Sequence, residues 1–69
     1  MKDAEFLERM GAKIKDARKE AKLTQQGLAD LCHFDDSSIC QIEHGNYSLK
    51  ITNLKRIAEA LRKDVKDFL

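Results

Sequence analysis

The 69-residue chain contains no proline and no tryptophan, only 3 glycines and only 2 cysteines. So few breakers favour helices joined by short turns over β architecture. Two cysteines cannot make a framework of bridges, so packing of helices, or pairing with a second copy, must carry stability. No run of apolar residues approaches the ~18 needed to span a bilayer, and residues 1–10 lack the apolar core and small-residue cleavage site of a signal peptide. The expectation is a cytoplasmic protein with reduced thiols. A chain this short builds one hydrophobic core at most. Its formal net charge of +1 selects no partner by itself.

What is present is helical periodicity. Phe6, Met10, Ile14, Ala17 and Ala21 recur at steps of four and three, which is one face of an α-helix. Asp3 is expected to cap its start, with Lys19 and Lys22 at the negative end of its dipole. Thr24 is an expected N-cap of a short second helix from Gln25 to Leu31, with Leu23 stapled onto Leu28. Gly27 inside it costs about 1 kcal/mol relative to alanine. The device repeats with Phe34, Asp35 as cap and Ile39, giving a third helix over Asp36–Glu43 that ends at His44-Gly45, a C-cap glycine. After a polar loop over residues 46–50, Ile51, Leu54, Ile57, Ala58 and Leu61 mark a fourth helix. Asp64 then caps a fifth, carrying Val65, Phe68 and Leu69. The rows Phe6/Met10/Ile14 and Leu54/Ile57/Leu61 are read as core.

Two short helices with about three residues between them form the sequence pattern of a helix-turn-helix. Leu23-Thr24-Gln25-Gln26-Gly27-Leu28-Ala29, followed by Ile39-Cys40-Gln41-Ile42-Glu43-His44-Gly45, resembles the Xre/Cro-type (lambda-repressor-like) helix-turn-helix family. The likeness extends to Gly11, Ile14 and Arg18, through residues 54–61, and to Asp64-Val65-Lys66-Asp67-Phe68. The implied fold is an all-α, five-helix lambda-repressor-like domain over residues 10–69, with residues 1–9 starting its first helix.

The resemblance also implies roles. Thr24 and Gln25 would meet a DNA phosphate at the start of helix two. Helix three would lie in the major groove with Asp36, Ser37 and Gln41 at base edges and Cys40 nearby. Glutamine can bond adenine bidentately, whereas aspartate accepts from cytosine. Asn46, Tyr47 and Lys50 would contact the backbone. Arg18 and Glu43 match positions that form a partly buried ion pair. His33 stands where glycine is usual in the turn, in a left-handed conformation that is not free for histidine. Val65, Phe68 and Leu69 would form a dimer interface, so that a homodimer reads a near-palindrome on double-stranded DNA.

The charge distribution opposes this in one place. Residues 23–48 hold no lysine or arginine and 4 acids, Asp30, Asp35, Asp36 and Glu43. DNA affinity rests heavily on phosphate neutralisation, so cations must come from flanking Lys50, Lys55 and Arg56. Asp35 and Glu43 have structural work as cap and ion-pair partner, which leaves Asp36 without one. An alternative from another class is therefore a protein-interaction module that keeps the fold with weak DNA binding. No metal is expected, because Cys32, His33, Cys40 and His44 contain no C-x2-C knuckle. No cofactor or small-molecule ligand is evident, and without a nucleophile, base and orienting group the chain is not expected to be an enzyme.

Overall fold

The computed structural model describes residues 3–69, with the backbone alone for Asp3; the cap expected of the Asp3 side chain lies outside the described residues. The order is α1 (Asp3–Glu20), α2 (Gln25–Cys32), α3 (Asp36–Glu43), α4 (Ile51–Ala60) and a 3-10 turn (Val65–Phe68), with no strand among the described residues. The all-helical class is therefore as expected, with 4 α-helices instead of five. The last segment is a single turn of 4 residues, braced by Asp64 N donating to Asp67 Oδ2 at 3.0 Å. Four residues cannot complete an α-helical ladder, and the tighter 3-10 form satisfies them. α1 runs unbroken through residue 10.

One core joins all elements. Met10, Ile14 and Ala17 of α1 meet Leu28, Ala29 and Cys32 of α2, Ile39 and Ile42 of α3, then Leu54, Ile57, Ala58, Leu61 and Phe68. Phe6 does not belong to it, being 45% exposed, and Ala21, beyond the end of α1, is exposed too. The inward stripe of α1 is instead Leu7, Met10, Gly11, Ile14, Ala17 and Arg18. Its direction is set by Gly11. A Cβ there would overlap the Ile42 carbonyl oxygen and fall 2.7 Å from Glu43 O, so α1 crosses the end of α3 at backbone contact. That crossing turns Leu7 inward and Phe6 out.

Each helix ends in the same way. After α1, Lys22 takes φ 61° and Leu23 N donates to Arg18 O at 3.1 Å. After α2, His33 takes φ 63° and Phe34 N donates to Ala29 O at 2.9 Å. Gly45 (φ 78°) and Arg62 (φ 59°) close α3 and α4 with bonds from Asn46 N to Gln41 O and from Lys63 N to Ala58 O. These are Schellman closures. Leu23 and Phe34, just past two of them, pack back on the core. At three of the four left-handed positions the residue is not glycine, at a cost of about 1 kcal/mol each.

Candidate nucleic-acid interface

The helix-turn-helix is held from behind by a buried polar cluster. Arg18 on α1 and Glu43 at the end of α3 are only 8% and 7% exposed. The guanidinium grips the carboxylate with two bonds, Nε to Oε2 at 2.6 Å and Nη2 to Oε1 at 3.1 Å. Arg18 Nη1 also donates to Leu23 O at 2.8 Å, which ties the α1–α2 turn to the same group. A bidentate pair of this kind fixes orientation as well as charge. Gln25 enters the cluster too, its Nε2 donating to Glu43 Oε1 at 3.1 Å. The expected free amide of Gln25 is thus partly committed inside the protein, because Glu43 Oε1 lies within its reach.

Thr24 caps α2 as expected, its Oγ1 accepting from Gly27 N at 2.9 Å. With that oxygen accepting inward, the exposed hydroxyl keeps a donor for solvent or a ligand. Gly27 sits under this cap, where a Cβ would come 3.3 Å from Thr24 Oγ1 and 3.5 Å from Leu23 Cδ2. Tight space explains the small residue inside a helix. Asp35 occupies the cap position of α3 in extended conformation, yet its carboxylate makes no capping bond. Its carbonyl does the closing instead, accepting from Ser38 N and Ile39 N at 3.1 and 3.2 Å. The carboxylates of Asp35 and Asp36 therefore stand exposed at the positive end of the α3 dipole, which favours them.

Burial splits α3 into two faces. Ile39, Ile42 and Glu43 point inward, while Asp36, Ser37 and Gln41 are exposed and Cys40 is half-buried between them. With 3.6 residues per turn Asp36, Cys40, Ser37 and Gln41 fall within an arc of about 140°, so the four candidate base-reading residues lie on one outward half of α3. His44 extends the same side. Its Nδ1 lies 2.7 Å from Cys40 O and 3.7 Å from Cys40 Sγ. The four-residue spacing from Cys40 is the sequence signal that marks it. Asn46, Tyr47 and Lys50 are exposed in the following loop, and Lys50 takes the N-cap position of α4 without a side-chain bond to it.

The remaining charges fall elsewhere. Asp30 accepts from Gln26 Nε2 at 2.8 Å along α2. Arg56 lines a groove with Leu31 and Cys32, at the opposite end of α2 from Thr24, about 12 Å away by helical rise. Cys32 donates weakly to Arg56 O at 3.9 Å. Burial pushes its thiol up, and the Arg56 charge offsets only part of that, so Cys32 is a core residue and not a nucleophile. Among the described residues no three His, Cys, Asp or Glu side chains converge as metal ligands. No helix there is long and apolar enough to cross a membrane.

The expected dimer residues separate. Phe68 is buried in the chain's own core, Val65 is half-buried against it, and Leu69 is 56% exposed. Phe68 packs between α1 and α4, so its side chain is taken up within the chain's own core.

Comparison with known proteins agrees with this arrangement. The family model described as a helix-turn-helix domain matches residues 11–67. No curated protein sequence matches significantly. Among solved structures, the restriction-modification controller protein C.AhdI from Aeromonas hydrophila superposes with a TM-score of 0.94 at 23% identity, covering 100% of both chains. An HTH_3 family transcriptional regulator from Vibrio cholerae gives 0.89 at 29% identity, over 96% of this chain and 37% of its own. The clp gene regulator ClgR from Corynebacterium glutamicum gives 0.89 at 22% identity, over 91% and 81%.

Proposed function

The chain belongs to the helix-turn-helix domain family, and from that premise we propose that it is a sequence-specific DNA-binding transcriptional regulator. The observation that carries this reading is the exposed face of α3, where Asp36, Ser37, Cys40 and Gln41 share one side of a helix bolted to α1 through Arg18 and Glu43. A rigidly held polar helix face suits base edges in the major groove. The likeness in fold to controllers and regulators of transcription supports the same class.

In this reading Gln41 and Asp36 select adenine and cytosine, with Ser37 and Cys40 beside them. Thr24, Asn46, Tyr47 and Lys50 position the helix on phosphates, and Gln25 does so with the hydrogen that Glu43 does not take. The protein acts in the cytoplasm as a homodimer on a near-palindrome, with half-sites about one helical turn apart. It performs no catalysis and uses no metal, cofactor or small-molecule ligand.

A second reading, a protein-interaction module with weak DNA affinity, is favoured by one observation. Asp30, Asp35 and Asp36 are all exposed in a segment with no Lys or Arg. Selection of bound duplexes from a random DNA pool, followed by titration of the winner at two salt concentrations, separates the two. A palindromic consensus, with log affinity falling by roughly one unit of slope per phosphate contact, is expected. No enrichment at low salt from folded protein would overturn the regulator reading in favour of the interaction module.

A further inference from the structure

An open groove with a volume near 530 Å³ runs between the last turn of α2 and the second half of α4. Leu31, Cys32, His33, Arg56, Glu59 and Ala60 line it. Leu31 is 55% exposed, although α2 is short and its other leucine, Leu28, is fully buried. Ala60 is half-buried and Cys32 buried, so small side chains form the base of the groove. Thr24 and Gln25 lie at the other end of α2, which leaves this surface free when α3 engages DNA.

We propose that this groove receives the same groove of a second copy of the chain, and that this is the contact through which the dimer forms. The inference rests on the homodimer reading above and names its surface. Charge is the deciding observation. Arg56 and Glu59 stand three residues apart on α4, both exposed and both lining the groove. A two-fold contact brings the same patch to itself, so it must be self-complementary. With the two α4 helices antiparallel about the level of residues 57–58, Arg56 of each copy faces Glu59 of the other. Ala60 then meets Lys55, so no like charges oppose along the paired helices. Leu31 of each copy enters the space over Ala60 and Cys32 of its mate.

The C-terminal end fails the same criterion. Its exposed apolar residues, Phe6 and Leu69, share a cleft with Arg9 and Lys13 and with no acid. Self-pairing there sets cation against cation, which is unfavourable.

Sedimentation velocity over a concentration series tests the proposal, with circular dichroism to establish that each exposed-site variant is folded. The parent is expected to dimerise as concentration rises. Leu31→Glu is expected to raise the dimer dissociation constant at least about tenfold. Arg56→Glu and Glu59→Arg each set like charges in apposition and are expected to do the same. An equimolar mixture of these two variants restores association, since every charge again meets its opposite. A mixture that stays monomeric overturns the two-fold pairing. Dimers that survive all three substitutions overturn the groove alone and return the contact to the C-terminal end. A parent that stays monomeric at every concentration overturns both the groove and the homodimer reading.

Discussion

His33 pays for its position in backbone conformation. At φ 63° it closes α2 where glycine carries no Cβ penalty. Replacement by glycine removes that strain but loosens the unfolded chain, and the two effects partly offset. The net gain expected for His33→Gly is about 0.5 kcal/mol, read as a rise in thermal midpoint; a fall would mean that the imidazole makes a contact worth more than the strain. The oddity was legible in the sequence, because His33 stands where the resembled family has glycine, the residue that closes a helix through the left-handed region without a Cβ penalty. Lys22 and Arg62 were not, since a charged residue after a helix looks like ordinary dipole complement. Their φ values near 60° arise from the tertiary path of the chain.

At the scale of elements, the bounds of α3 came out as read, Asp36–Glu43. A cap position, a buried isoleucine and a closing glycine lie within ten residues of one another there, so local chemistry suffices. The face of α1 did not come out as read, because Phe6 and Leu7 are equally apolar and only contact with α3 separates them. That contact turns on Gly11. Gly11→Ala would place a methyl against the Ile42 and Glu43 carbonyls, and backbone cannot yield as a side chain does. A loss of about 1–3 kcal/mol is expected in urea unfolding; an unchanged midpoint would mean that α1 can shift freely along α3. Arg18→Met tests the same junction electrostatically. It strands a buried carboxylate with Gln25 as its remaining donor, and about 3–5 kcal/mol is the usual cost of halving a buried pair. A further Glu43→Leu should recover most of that loss, since the hydrophobic pair has no charge to desolvate. A double variant as unstable as the single one would show that packing of the arginine stem is what matters.

For the whole molecule, the acidic centre of the motif divides two jobs between different residues. Orientation on DNA needs phosphate contacts, and within residues 23–48 no side chain brings a positive charge to them. Lys50, exposed at the start of α4, is the first lysine or arginine after α3, and in the proposed reading it bears a large share of the salt-dependent affinity. Lys50→Ala is then expected to weaken all sequences alike and to lower the log-log salt slope by about one. Discrimination, in the proposed reading, rests instead on α3, where Gln41 is exposed and its side chain makes no hydrogen bond among the described residues. Gln41→Ala should cost about 1–3 kcal/mol on the selected operator while leaving the salt slope unchanged, and should relax preference at one base pair. The two variants thus move different observables, slope for one and sequence preference for the other. If Lys50→Ala left the slope intact while Gln41→Ala left preference intact, α3 and its following loop would not be the DNA surface. The exposed acids Asp30, Asp35 and Asp36 would then mark a face for a basic protein partner.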